Sequence, residues 1–177
     1  AAGGVGLNAT EYAAWLHVRA LGSLGSRAKH LHMRMAGLGN ACSVSSRDAM
    51  AFTHGLSSAV CAASRLNCVL NSLSSDFTAV SFASLAEGGY FDEIGKRGIW
   101  SCEFAPCAAP RVLYDPIAVD VDMQQTPLWM QSLLLRTAAR SARWVVRGLP
   151  RVVCDLEGGV KLALQQLRRG QNIGKVV

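Results

Sequence analysis

Apolar side chains recur along this chain at two periods. Behind a glycine-rich opening, Leu7, Ala9, Tyr12 or Ala13, and Leu16 fall close to helical spacing. Near the other end Leu156, Val160, Ala163, Leu164 and Leu167 repeat that spacing. The pattern predicts helices over 5–16, 27–36, 48–62, 75–86, 127–144 and 157–169. Gly158-Gly159 is expected to open the last of them and Gly170 to close it. Between the helices, short apolar runs predict strands at 17–23, 41–45, 67–71, 89–94 and 116–121. Helices alternating with short strands predict an α/β fold with a parallel, doubly wound sheet. Ligands of such sheets gather outside the C-terminal strand ends, where strand order reverses. Gly3–Gly6, Ser23, Ser45–Arg47, Asn71–Leu73 and Gly95–Lys96 are all expected just past strands, and so to share one crevice.

Composition narrows the picture. A chain of 177 residues, half of them hydrophobic and 17% charged, is one globular domain's worth of sequence. The net charge of +6 suits an anionic ligand, although it is also an ordinary solubility feature. Arg136, Arg140, Arg143 and Arg147 fall along one helix face, read as a solvated face. Aromatics make up 7% of the chain and no nucleic-acid-binding motif is present, so nucleic acid is not an expected partner. The six cysteines, Cys42, Cys61, Cys68, Cys102, Cys107 and Cys154, form no C-x-x-C pair. They are expected as buried free thiols in a reducing compartment, the cytoplasm or a plastid. His30 and His32 lack a second ligand pair, so no metal site is expected. The apolar stretch 128–146 is cut by Arg136, Arg140 and Arg143, and no membrane span is expected.

The opening Ala1-Ala2-Gly3-Gly4-Val5-Gly6 carries the first chemical signal. Glycines ahead of a helix let the backbone approach a pyrophosphate, and the helix start offers unpaired N–H groups. The dinucleotide motif is imperfect, since Ala1 stands where its first glycine would be, and glycine turns before helices are common. Such a turn ordinarily follows a strand. The chain therefore reads as a piece of something longer, without its first strand. Sites that take NADH place an acidic residue after the second strand, where it holds the ribose 2′-hydroxyl. Here residues 20–29 hold no Asp or Glu but do hold Ser23, Ser26, Arg27 and Lys29. A 2′-phosphate would suit these groups, and Ser45-Ser46-Arg47 adds a second basic, hydroxyl-rich turn. An ordinary helix start with surface charges is the competing reading. Together the two turns favour NADPH over NADH.

The chain resembles the enoyl reductase domains of polyketide synthases and animal-type fatty acid synthases, which are zinc-independent medium-chain reductases. The resemblance rests on motifs in family order. They are Ala-Ala-Gly-Gly-Val-Gly-Leu at 1–7, Ser-Ser-Arg at 45–47 and Val-Leu-Asn-Ser-Leu at 69–73. Glu-Ile-Gly-Lys-Arg-Gly-Ile-Trp-Ser at 93–101, Ala-Val-Asp at 118–120 and Asn-Ile-Gly-Lys-Val-Val at 172–177 follow. The resemblance implies a Rossmann-like NADPH-binding domain over 1–150. It implies that the helix and strand of 151–177 return to an upstream GroES-like substrate domain that this chain lacks.

It also implies an activity: reduction of the α,β-double bond of an acyl thioester held on an acyl carrier protein, among other synthase domains. A hydride goes to the β-carbon, the resulting enolate must be stabilised, and the α-carbon takes a proton. A lysine suits that task. Lys96 matches the family's proposed lysine donor and Asp120 its acidic partner; a surface lysine is the plain alternative for Lys96. Gly3, Gly4, Val5, Gly6, Ser23, Ser26, Lys29, Ser45, Arg47, Asn71, Ser72 and Leu73 are the expected cofactor-binding residues. Asn71 matches the residue beside the nicotinamide ribose, with a strand-capping role as its alternative. Two stretches depart from the family: Gly98 stands where Asp is usual, and Arg65-Leu66-Asn67 replaces Gly-Val-Asp. Gly98 puts the orientation of the Lys96 loop in question. Two other readings stay open. One is a stand-alone quinone or enone reductase of the same superfamily, and the other is a non-catalytic remnant serving as a structural segment.

Overall fold

The computed structural model describes residues 1–38, 43–60, 65–74 and 76–177. Residues 41–42 of the predicted second strand, 61–62 of the third helix and 75 of the fourth lie outside them, as do Cys42 and Cys61. In chain order the first elements are α1 (Gly4–Trp15), β1 (Gly22–Leu24) and α2 (Arg27–Met33), which runs into a π-helical turn, Arg34–Leu38. Then come β2 (Ser43–Ser45), α3 (Ala49–Ala59), β3 (Leu66–Asn71), α4 (Asp76–Ala83) and β4 (Leu85–Glu93). These are followed by α5 (Phe104–Ala108), β5 (Leu113–Pro116), α6 (Val119–Gln125) and α7 (Pro127–Ala142). The last elements are β6 (Arg151–Val152), α8 (Val160–Arg168) and β7 (Lys175–Val176). Among the described residues every strand pairing is parallel: β1 with β2, β3 with β4 with β5, and β6 with β7. The expected α/β class with parallel, Rossmann-like pairing is therefore present.

The chain divides into two compact units, Ala1–Arg47 with Ser132–Val177, and Asp48–Gln131. In the first, Ala2, Leu7, Leu24 and Met33 form a small core, flanked by Leu149 and Ile173. Gly174 donates its N–H to the Ala2 carbonyl at 2.9 Å, so the C-terminal segment runs beside the opening turn. Arg140 is not simply solvated. Its guanidinium lies 5.1 Å from the Tyr12 ring and 5.4 Å from the Trp15 ring, and Nη1 donates to the Tyr12 hydroxyl at 2.7 Å. This stacked cation ties α7 to α1.

The second unit is organised by β4. Side chains along a strand alternate between faces, and here Leu85, Gly89, Phe91 and Glu93 are buried while Tyr90 is exposed. Phe91, with no exposure, stacks on Phe82 at 3.9 Å between centroids, and Phe82 stacks in turn on Trp100 at 4.5 Å. Leu85 and Ala105 complete that core.

Three expectations are corrected. Residues 17–21 do not join β1, because α1 ends at Trp15 and His17 takes a left-handed φ of 56°. The predicted strand 116–121 is the end of β5 followed by the start of α6. The alternation of Val119 and Val121 with Asp120 and Asp122 reads as a strand. Both carboxylates, however, stand in a helical first turn, where unpaired N–H groups favour negative charge. Finally, Cys68, Cys102 and Cys107 are exposed rather than buried and Cys154 is half-buried, all four as free thiols. Cys68 occupies the outward face of β3, and the other two exposed thiols flank or end the short α5. The predicted helix boundaries at Gly159 and Gly170 stand: Gly159 is the N-cap of α8, and Gly170, φ 59°, follows its C-cap.

Phe91→Ala is expected to cost about 3–5 kcal/mol, the range for emptying a buried aromatic site. Urea unfolding followed by tryptophan fluorescence checks it, since Trp100 reports directly on this core.

Candidate functional site

The opening turn has the geometry of an anion cradle. Gly3 is the N-cap of α1, with φ −80° and ψ 172°, and no side chain caps the helix. The first intrahelical bond runs from the Leu7 N–H to the Gly3 carbonyl at 2.9 Å, so the N–H groups of Gly4, Val5 and Gly6 precede the ladder. The glycines are small for different reasons. A Cβ at Gly3 would find nothing within 4 Å, which leaves open space for a ligand. One at Gly4 would crowd Lys175 Cε at 3.0 Å and Leu149 Cδ1 at 3.2 Å. At Gly6 it would run into the Ala1 backbone, so the fold itself requires that glycine. Val5 is exposed on the same turn. Ser23 is adjacent, its carbonyl meeting the Ala1 nitrogen.

The basic turns meet as well. Ser26 caps α2, its hydroxyl accepting from the Lys29 N–H at 3.4 Å, and the Ser45 hydroxyl accepts from the Arg47 N–H at 3.2 Å. The Lys29 ammonium donates to the Gly170 carbonyl at 2.7 Å, and Arg47 Nη2 reaches the Arg169 carbonyl at 3.4 Å. The two cations converge on the turn that ends α8. Burial, and then the neighbouring Arg47 charge, hold the Lys29 ammonium below its ordinary pKa. A bound anion would relieve both effects.

The other expected residues lie in the second unit, at the C-terminal ends of β3 and β4 and on α6. Lys96 Nζ stands 3.7 Å from Asp120 Oδ1, the two side chains 66% and 76% exposed. Solvent contact of that extent leaves the ammonium free to meet a ligand. Between Lys96 and Ile99 the chain bends through Gly98 at φ 60°. Glycine adopts that left-handed conformation without cost. Asn71 is buried, and both its amide hydrogens are committed: Nδ2 donates to the Leu73 carbonyl at 2.7 Å and to Glu93 Oε2 at 2.6 Å. Its Oδ1 accepts from the Leu73 N–H at 3.1 Å, and Ser72 is exposed beside it. Asn71 therefore closes the end of β3, and any ligand at this corner meets Ser72 and Leu73 first.

Glu93 is the residue that sequence reasoning passed over. It is 2% exposed and sits at the root of the Lys96 loop. Its signal was available: two residues after the core Phe91 on a strand, a side chain must face the same way.

These arrangements meet known proteins at several points. No family model matches the chain. It is 28% identical along its full length to the reducing polyketide synthase rads1 of Floropilus chiversii, covering 7% of that protein. It is 42% identical over 56% of its length to the hybrid synthetase pyvA of Aspergillus violaceofuscus, covering 3% of that protein. The CurK enoyl reductase superposes on 99% of the chain with a TM-score of 0.86 and 27% identity, and the chain covers 51% of it. The chain resembles the enoyl reductase domains of polyketide synthases. A mycobacterial protein crystallised with NADPH shares the fold at a TM-score of 0.71 and 20% identity, over 99% of this chain and 53% of that one. The chain thus spans about half the length of the enoyl reductase it matches and a small fraction of the synthases. No helix among the described residues is long and apolar enough to cross a membrane.

Because the Lys96–Asp120 pair is exposed, it contributes little to stability. Asp120→Asn is expected to change the free energy of unfolding by less than about 1 kcal/mol. Denaturant titration checks this, and a small change there makes any loss of turnover attributable to chemistry.

Proposed function

We propose that this chain is the nucleotide-binding part of an NADPH-dependent enoyl reductase in a polyketide or fatty acid synthase. Its substrate is the α,β-unsaturated acyl thioester of an acyl carrier protein, presented among the other domains of a synthase in a reducing compartment. One observation carries the reading. Lys96 and Asp120 stand 3.7 Å apart beside the C-terminal strand ends of a chain that superposes over 99% of its length on half of the CurK enoyl reductase.

The residues present fit the cofactor. Gly3 leaves open space before α1, and the unpaired N–H groups of Gly4, Val5 and Gly6 would hold the pyrophosphate. Lys29 and Arg47, with Ser23, Ser26 and Ser45 on the same turns, would hold the 2′-phosphate. In the other unit Asn71 fixes the Ser72–Leu73 loop, which the resemblance assigns to the nicotinamide. When bound, NADPH supplies a hydride to the β-carbon of the enoyl group. Lys96 places positive charge where the enolate develops and delivers a proton to the α-carbon. Asp120 holds the ammonium in place between turnovers. Residues 151–177 would return the chain to the substrate domain.

In the complete synthase chain, Lys96→Met is expected to lower kcat for a crotonyl thioester by roughly 10²–10⁴-fold, the usual worth of a positioned acid. Undiminished NADPH oxidation overturns the role. Lys29→Ala with Arg47→Ala is expected to cut the preference for NADPH over NADH by roughly 10–100-fold, the loss of one or two charge-assisted bonds. Equilibrium titration of both coenzymes measures it, and an unchanged ratio removes the 2′-phosphate assignment.

The sign of the pH dependence follows from Lys29. An anion binds the charged ammonium better, so NADPH affinity falls as pH rises through the lowered Lys29 pKa, below the ordinary 10.5. Lys29→Arg is expected to flatten that alkaline fall, because the guanidinium stays charged throughout. Isothermal titration across the alkaline range checks both.

A further inference from the structure

Glu93 is a buried carboxyl group with two donors and no cation. Its Oε1 accepts the Gly95 N–H at 2.6 Å and its Oε2 accepts from Asn71 Nδ2 at 2.6 Å. Among the described residues, the ion pairs join Lys96 to Asp120 and Arg111 to Glu87, and Glu93 is in neither. Burying an acid this way costs several kcal/mol unless hydrogen bonds return most of it. A Gln of the same volume would turn its NH2 toward one of those two donors, so the choice of an acid has a reason beyond packing.

The reason lies in what its two oxygens hold. Register places Asn71, Glu93 and Pro116 side by side at the C-terminal ends of β3, β4 and β5. The backbone closes the same edge: the Ile94 N–H donates to the Asn71 carbonyl at 2.9 Å and the Ile117 N–H to the Glu93 carbonyl at 2.8 Å. Beyond that edge the two loops leave the sheet. Glu93 holds the Ser72–Leu73 loop through the Asn71 amide and the Gly95–Lys96 loop through the Gly95 N–H. With one oxygen toward each, the carboxyl group meets both donors at once, whereas a side-chain amide in the same place would offer one of them its NH2. Gly95 fits this arrangement, because a Cβ there would lie 2.6 Å from Glu93 Oε1.

We propose that Glu93 is a positioning residue: through Asn71 and Gly95 it fixes the Ser72–Leu73 and Gly95–Lys96 loops relative to each other. This setting gives the Lys96 ammonium its place over the substrate. The catalytic part of this inference rests on the proposed function; the clamp itself does not.

A polarity swap tests it in the complete synthase chain. Glu93→Gln turns one acceptor into a donor that faces a donor. Asn71→Asp instead sets two acids against each other. The double variant, Asn71→Asp with Glu93→Gln, restores a donor–acceptor pair and keeps the same formal charge. Amide exchange of peptides spanning 71–73 and 94–98 reads the clamp without any catalysis. Each single variant is expected to speed exchange there by roughly 10–100-fold, the loss of a hydrogen bond to a charged group. Each is also expected to lower kcat with crotonyl thioester by about 10-fold or more, and the double variant to recover part of both losses, the Leu73 carbonyl staying without its Asn71 donor. Additive losses in the double variant, or unchanged exchange in Glu93→Gln, overturn the clamp. Altered exchange with an unchanged kcat overturns the positioning role. If neither single variant folds, Gly95→Ala carries the same test from the other side: faster exchange with lower kcat supports the clamp, and wild-type values overturn it. A wild-type synthase that exchanges as described but reduces no enoyl thioester sinks the proposed function and leaves the clamp standing.

Discussion

Strand parity is the constraint on which the second unit depends. Once Phe91 is committed to the core with Phe82 and Trp100, the alternate residues of the regular part of β4, Gly89, Phe91 and Glu93, face inward together. An acid in that place is tolerable only with its oxygens occupied. Asn71 and Gly95 occupy them, and in doing so they set the ends of two loops. The aromatic stack, the buried carboxyl and the Lys96 loop are one mechanical chain, in which moving the first by one register would turn the others out to solvent.

The opening turn of the first unit obeys a different constraint, that of close approach. Its glycines are not interchangeable: Gly6 makes room for the Ala1 backbone, Gly4 for the Lys175 and Leu149 side chains, and Gly3 for nothing in the chain. Space left vacant before an uncapped helix start is what an anion uses. Lys29 and Arg47 add two cations of like sign held against backbone carbonyls at the end of α8. Burial and the neighbouring Arg47 charge hold the Lys29 ammonium below its ordinary pKa in that arrangement.

Several signals in the sequence read correctly because they are local. Gly170 marked the end of α8 because the chain turns left-handed there, and Gly159 marked its start as the N-cap. Helical spacing of apolar residues located α1 and α8 to within a few residues. The pattern at 116–121 misled because Val119 and Val121 carry strand propensity, while Asp120 and Asp122 find a helix start whose unpaired N–H groups outweigh it. The cysteines misled too. A thiol is small and apolar enough for a core, but Cys68 falls on the outward parity of β3.

From the linear order of residues alone came the α/β alternation, the glycine turn and the basic hydroxyl-rich turns, since each depends on neighbours a few positions apart; the candidate lysine came with the family resemblance. The convergence of Lys29 and Arg47 on Arg169 and Gly170, and the clasp of Asn71, Glu93 and Gly95, came only with the folded chain. Hydrogen bonds between residues 22 or 141 positions apart leave no periodic trace. Their partners are chosen by strand register and loop closure, which exist only once the core has formed.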